Sequence, residues 1–509
     1  MFVRKRKNKS GSTSIVIVDK SNGKFKELTT IGTSDNPTEI ENLYRKGKEW
    51  IKKKTFQPEL DLFGERTATE QLLSNIQQIL INGTKLLLGK IFDNIGFNQL
   101  EDSVFKHLVL SRLSFPSSKR ASVEYLKDYY DEDVDLSRIY RYLDKLYNTH
   151  KDTVQQISIS HTQSILGGVI GIVFYDVTTL YFETDRSDEL RIPGFSKEGR
   201  HQNPQIILGL LVSLGGYPLS YEIFEGNKFE GHTMLDVVND FTKHYNVKDA
   251  VVVADSGLMN DDNIKALEAG KYQYIIGAKI KSETKEVKDW VLSLNLNDGE
   301  FSEYKKTASR RLVVGYSSSR AEKDKYNRDK GIRRLEKQYQ TGKLTKSSIN
   351  KRGYNKYLKM DGEVKVTIDY ELFEKDTKWD GLKGYITNTR LSAKDISSNY
   401  AHLWMIENAF RVAKSKLEIR PMFHFTRKRI EAHISICFAA YKIYKELERR
   451  LRAMNSDLSP DKAIYIAKTI CTIVIHLPNT NETIKKVMLL TEKQKKLANL
   501  FADVFRVNH

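Results

Sequence analysis

The chain has 509 residues, enough for two to four domains, and is 40% hydrophobic and 29% charged, as a globular protein is. Its net charge of +18 points to a polyanionic partner, DNA or RNA, or to an anionic membrane surface. No apolar run approaches the ~20 residues that span a bilayer, and in the basic start MFVRKRKNKSGSTSIVIV only the short run IVIV follows, too little for a secretion signal. Membrane binding therefore loses ground to nucleic acid. The two cysteines, Cys437 and Cys471, sit in apolar helix-like runs without a CxxC or histidine-pair neighbour. They predict core residues of a cytoplasmic protein, with neither a zinc site nor a disulfide framework.

In chain order, residues 13–32 alternate and turn at SNGK, predicting a β-hairpin. Residues 37–54 and most of 66–160 read as helical. Within the latter, SSKRASVEYLKDYYDEDVDLSRIYRYLDKLYNT predicts a helix, a short turn and a second helix capped by Asp135 or Ser137. On the second helix Ile139, Leu143 and Leu146 share one face, and Arg138, Arg141 and Lys145 share another, as a DNA-recognition helix requires. A solvated charged helix is the plain alternative. From residue 168 the chain predicts three strands in a meander, a helix, a strand ending in VVVAD, a helix and a strand. This mixed α/β order is that of the ribonuclease-H-like fold.

Residues 282–375 break the rhythm. Between Arg320 and Lys359 there are 14 Lys/Arg and 4 Asp/Glu, a net of +10 interleaved with tyrosines. A solvated loop would not require one sign of charge, so this segment reads as a phosphate-contacting insertion. A strand (GLKGYITNT) and a helix through YAHLWMIENAFRVAK follow, and the tail from 425 to 509 reads as helical. In that helix the spacing predicts Tyr400, Glu407 and Lys414 in one line, beside an apolar stripe of Leu403, Ile406, Phe410, Ala413 and Leu417.

Three acids then stand out. Asp176 interrupts an apolar strand, where a buried carboxylate is costly unless it pairs or binds metal. Asp255 ends a buried strand, where α/β sheets place their sites. Glu407 lies on the late helix that packs across both in a ribonuclease-H-like arrangement. Oxygen ligands without Cys or His suit Mg²⁺ or Mn²⁺, and two such ions about 3.5–4 Å apart support in-line phosphoryl displacement.

The sequence resembles the DDE transposases of bacterial insertion sequences, in the group with a Y-R-E-K signature. The resemblance runs through YDVTTLYFE, GFSKEGRHQNPQIILGLLVSLGGYPLSYEIFEGN, VVVADSGLMN and LEIRPMFHFTRKRIEAHI, roughly residues 170–445. Tyr400, Glu407 and Lys414 match the signature in type and spacing. Leu403 occupies the arginine place, and Arg411 is the candidate to substitute for it. The resemblance implies Asp176, Asp255 and Glu407 as the metal-binding catalytic triad, and Tyr400 and Lys414 as contacts to transposon-end phosphates. It also implies double-stranded DNA as partner, a homodimer in a synaptic complex, and a nucleoid-associated bacterial protein. The organisation expected is an N-terminal hairpin and helical DNA-binding region (1–165), a catalytic domain in two parts (166–281 and 376–450), an insertion (282–375) and a helical C-terminal region (451–509). A nuclease or resolvase on the same fold, or an inactive domesticated DNA-binding protein, remain the alternatives.

Overall fold

The computed structural model describes all residues except 21–22, 55–69, 71–72, 197–198, 246–249, 259, 351–352, 362–364, 478–479 and 506–509. The chain divides into two compact units, Met1–Gln78 with Val474–Ile484, and Ile79–Ile473 with Lys485–His509. Among the described residues no helix is long and apolar enough to cross a membrane.

The first unit carries an antiparallel sheet of β1 (Phe2–Lys7), β2 (Thr13–Asp19) and β3 (Lys26–Ser34), with α1 (Pro37–Lys54) packed on it. The hairpin of β2 and β3 thus gains a third strand, because Phe2–Lys7 pairs along the free edge of β2. Ile15, Val16, Ile17 and Val18 are fully buried, as befits a central strand. A further strand, β4 (Ile76–Leu80), belongs to a small sheet shared with the tail.

The second unit begins with five helices: α2 (Gly83–Ile95), α3 (Ser103–Ser114), α4 (Lys119–Tyr130), α5 (Leu136–Lys145) and α6 (Lys151–Ile165). The Asp135 carboxylate caps α5 by accepting from the Arg138 N–H at 2.8 Å. The chain then enters β5 (Ile172–Tyr181), β6 (Ile192–Pro193), β7 (Pro204–Ser213), β8 (Pro218–Glu225), α7 (Met234–Tyr245), β9 (Val251–Ala254), α8 (Asp261–Ala269) and β10 (Gln273–Ala278). After α9 (Lys285–Ser293) come β11 (Phe301–Lys305), β12 (Arg311–Tyr316), the long α10 (Ser318–Gln340), the hairpin β13 (Leu358–Asp361) and β14 (Lys365–Ile368), and α11 (Tyr370–Thr377). Next are β15 (Leu382–Thr387), α12 (Ala393–Ala401), α13 (Trp404–Ser415), α14 (Arg427–Ala453) and α15 (Pro460–Ala467).

The large sheet runs β11-β12-β15-β10-β9-β5-β7-β6, with β8 also on β7. β5, β9 and β10 are parallel and the other pairs antiparallel. The sheet is buried on both faces. One core sets Phe174, Val253, Ile275 and Tyr385 against the N-terminal helices and α12–α14, and the other sets Val173, Val252, Ile276 and Ile386 against α7 and α9. This mixed α/β architecture is consistent with the ribonuclease-H-like fold. The insertion expected before the final acid carries regular elements among its described residues: β11 and β12 extend the sheet, and α10 carries much of the basic charge on an exposed helix.

The tail is not wholly helical. β16 (Cys471–Leu477) and β17 (Glu482–Met488) are strands, forming with β4 a sheet of order β17-β16-β4. The expectation rested on an apolar run, AKTICTIVIHL, which periodicity alone cannot assign; its β-branched Thr-Ile-Val-Ile favours the pleated state. Cys471 therefore lies on a strand, and Cys437 on α14; both are free thiols, and Cys437 is buried.

α14 is buried along most of its length and carries polar groups inward. Lys442 donates to the Ser158 carbonyl at 3.0 Å, and Lys151 donates to Glu431 at 2.8 Å and to Glu222 at 3.0 Å. His161, His424 and His433 are all held below the usual imidazole range. Burial is the main cause, followed by Lys442 for His161 and by Lys119 and Arg112 for the other two. His161 is lowered to about 4 and His424 to about 3. The unfolded chain then binds more protons than the folded one below about pH 6.5. The stability these histidines contribute is present above that pH and is lost as the pH falls toward the folded values. Thermal melts should show a falling midpoint from pH 7 to pH 4.5, and His161→Gln should reduce that slope; an unchanged slope would exclude His161 as a contributor.

Candidate active site

The parallel register of β5 and β9 pairs Tyr175 with Ala254, so the next residues, Asp176 and Asp255, follow side by side on neighbouring strands. Strands lie about 4.8 Å apart, so the two backbones present these acids next to each other. Residues two before them, Phe174 and Val253, belong to the core beneath α13. Side chains alternate along a strand, so Asp176 and Asp255 face the same side. α13 crosses this side through the buried Ile406, Ala409 and Phe410, and in doing so carries Glu407.

A cleft of about 910 Å³ opens at this point. Asp255, Glu407 and Tyr400 line it, with Lys383 of β15, and Arg320 and Arg328 of α10. Asp176 is half-buried on β5 outside that lining; one oxygen accepts from the Val177 N–H at 2.8 Å. Among the described residues no three His, Cys, Asp or Glu side chains stand close enough to ligate a metal. The geometry unites Asp255 and Glu407 in the cleft, and the strand register sets Asp176 beside Asp255.

The donor set fits a hard cation in its chemistry, since all three acids offer oxygen. A cation also lines the cleft with two of them. The Lys383 ammonium is acted on favourably by both Asp255 and Glu407, although burial first, and then Arg320, hold its pKa below the usual lysine range.

Tyr400 and Glu407 do not share one unbroken helix. The chain tightens at residues 402–403, where Leu403 N–H donates to the Tyr400 carbonyl at 3.0 Å and Ile406 N–H to Leu403 at 3.2 Å. These i→i+3 bonds separate α12 from α13 and break the expected straight row. The Tyr400 hydroxyl donates to Asp255 at 2.9 Å. Burial, and then the Asp255 carboxylate, hold the phenol well above its usual range, so it keeps the proton it donates. Its reach depends on Gly277 of β10: a Cβ there would lie 2.4 Å from the Tyr400 hydroxyl oxygen and 3.1 Å from the Ser256 nitrogen. Gly277→Ala should therefore displace the hydroxyl from Asp255. Any reaction that uses the Asp255 carboxylate is expected to slow about 10- to 100-fold, the cost of losing the partner that orients a ligand. Turnover at the parent rate would show that the hydrogen bond has no role.

The remaining sequence candidates lie elsewhere. Lys414 is half-buried further along α13 and does not line the cleft. Arg411 is exposed, and its guanidinium donates to Asn408 at 2.5 Å. Arg138, Arg141 and Lys145 are exposed on α5, opposite the buried Ile139 and Leu143, and form a basic face of their own. Lys383 and Gly277 were missed by sequence reasoning. The available signal for Lys383 was a charged residue two before Tyr385, on the inward face of a central strand.

Comparison with curated proteins gives no match. Among solved structures, the cryo-EM structure of the piggyBac transposase synaptic complex with hairpin DNA aligns at a TM-score of 0.38 and 9% identity, covering 80% of this chain and 76% of that one. The Mos1 transposase paired-end complex with left transposon end aligns at 0.16 and 10% identity, covering 33% and 56%. The family model described as "Transposase DDE domain" matches residues 167–443, a span that holds all three acids, Tyr400 and the cleft. That span is more than half of the chain, which therefore belongs to the DDE transposase family.

Proposed function

We propose that the protein is a DNA transposase that binds the ends of its element, cuts there and joins the freed 3′-hydroxyls to target DNA. The observation that carries this reading is the cleft itself: Asp255 and Glu407 line it, within the matched family domain, and basic α10 walls it. A polyanion is drawn in by the wall, while the acids repel it unless cations stand between them. In this reading Asp176, Asp255 and Glu407 hold Mg²⁺ or Mn²⁺, which when bound would activate the attacking oxygen and stabilise the leaving one. Tyr400 orients Asp255, and Lys414, Arg411 and the α5 face made by Arg138, Arg141 and Lys145 contact the DNA backbone. Residues 1–165 bind the ends, 166–281 and 376–450 carry the acids, and 282–375 grip the DNA. The protein works as a homodimer that holds two ends together.

The test is a strand-transfer assay with purified protein, the element's terminal DNA and a target plasmid in Mg²⁺. Joining of both ends at one target position supports the reading. Nicking without joining would favour a nuclease on the same fold, and binding without cleavage an inactive DNA-binding protein.

The grip is tested separately. Arg320, Lys323, Lys325 and Lys330 are exposed on α10. Replacing them with glutamine should lower the magnitude of the salt slope of DNA affinity by about 0.9 for each phosphate that is no longer neutralised. An unchanged slope would mean that these charges are only solvated.

A further inference from the structure

Lys383 occupies an unusual position. It lies on β15, between β12 and β10 in the middle of the sheet, and it points with Tyr385 toward the core side that carries Asp176 and Asp255. Its ammonium stands 4.3 Å from the centroid of the Tyr400 ring and 5.6 Å from that of Tyr385, and the two rings lie 5.0 Å apart. It lines the cleft with Asp255 and Glu407. Among the described residues its ammonium makes no ion pair within 4.0 Å. Most other cations of the wall differ in this respect: Arg328 is paired with Asp380, Lys281 and Lys356 with Asp376, and Arg320 with Asp324 at 3.5 Å; Lys279, also in the lining, shares the lack of a pair among the described residues but has no aromatic ring holding it. Those pairings spend the charge of Arg328 and Lys356 within the protein.

A lysine held on aromatic faces is fixed in place while its donors remain available, because the ring faces accept no strong hydrogen bond from it. An ammonium that lines the same cleft as two carboxylates is placed for an anion that enters over those carboxylates. For a transposase, that anion is the phosphodiester to be cut.

We propose that Lys383 is a catalytic residue that contacts a non-bridging oxygen of the scissile phosphate, with the Tyr400 and Tyr385 rings holding its ammonium in place. The inference rests on the transposase reading but not on the identity of the metal. It makes Lys383 the direct phosphate contact within the cleft and leaves the exposed cations of α10 to the flanking backbone. It also accounts for the glycine at 277, which lets Tyr400 lie close enough to serve both Asp255 and Lys383.

The test pairs protein variants with an altered DNA. Terminal DNA is made with either the natural phosphate or a neutral methylphosphonate at the scissile position, and affinity is measured with Ca²⁺ present and with no divalent ion, so that no cutting is required. With the parent protein, the methylphosphonate should bind about tenfold more weakly, the scale of one charge-assisted contact. Lys383→Met should bind the natural DNA about tenfold more weakly and should be indifferent to the methylphosphonate. Lys383→Arg should restore part of the preference. Independent, multiplying losses from the two changes would overturn the proposal, since they would show that lysine and phosphate do not meet. Thermal melts and the salt slope on DNA lacking the terminal sequence check that Lys383→Met folds and still grips the backbone; if it does not fold, Lys383→Gln is read in the same way. The transposase reading itself is judged on the parent protein in strand transfer, so its failure and the failure of this proposal give different results.

Discussion

Asp255→Ala and Glu407→Ala, and likewise Asp176→Ala, are each expected to lower end cleavage in Mg²⁺ at least about 10³-fold, with end binding within a few-fold of the parent. The magnitude is that of losing a main source of charge stabilisation in a transition state. The geometric argument is strongest for Asp255 and Glu407, which line one cleft together with the Lys383 ammonium. It is indirect for Asp176, whose place is fixed by strand register beside Asp255. Gel-shift binding and radiolabelled cleavage on the same DNA separate the two functions. Cleavage near the parent rate by any one variant would remove that acid from the site. Loss of binding together with cleavage would mean that the acid supports structure instead.

The second large effect concerns stability. Glu431 is almost fully buried on α14 and accepts from Lys151 at 2.8 Å and from Arg427 at 3.0 Å, and its carbonyl accepts from Tyr221 at 3.3 Å. Burial works against the charge of Lys151, but Tyr221, Glu222 and Glu431 outweigh it and hold its pKa above the usual range. Burial lifts Glu222, despite Lys151, above the usual carboxyl range, and Glu431 gives Lys151 the shorter contact, 2.8 Å against 3.0 Å. Removing one partner of a buried pair costs about 3–5 kcal/mol. Glu431→Ala is therefore expected to lose that much in chemical denaturation, and Glu431→Gln, which keeps an acceptor oxygen, to lose less. A loss under about 1 kcal/mol, the scale of an exposed pair, would show that water reaches Lys151.

The sequence made two of the acids legible because each breaks a local rule: Asp176 interrupts an apolar strand and Asp255 closes one; Glu407 stood out only through its helix and the Tyr400, Glu407, Lys414 spacing. It made the strand order legible because hydrophobic runs, hairpin turns and helical stretches alternate clearly between residues 168 and 281. The break between Tyr400 and Glu407 was not legible. The stretch YAHLWMIEN contains no proline or glycine, and its apolar spacing fits one helix. The tightening at 402–403 goes with packing, with Tyr400 reaching Asp255 and Leu403 and Ile406 buried in the core. Gly277 and Lys383 were illegible for a related reason. One glycine or lysine in a strand has no meaning until the neighbouring strands bring a tyrosine ring and two carboxylates to it.

β15 is hydrogen-bonded on one side to β10 and on the other to β12. On the ribosome, β5, β9, β10 and β12 are all synthesised before it, so the partners wait with two open edges until Leu382–Thr387 emerges. Glu407 comes only twenty residues beyond Thr387. Pairing between such distant segments is slow to form, and open edges invite mispairing. The same order has a protective side. A chain interrupted by premature termination, or clipped before residue 382, contains Asp176 and Asp255 but neither the strand that closes the sheet nor the acid that follows it. On the transposase reading proposed above, translation thus acts as a clock for the chemistry: the third acid can join the other two only after the strand that closes the sheet has emerged.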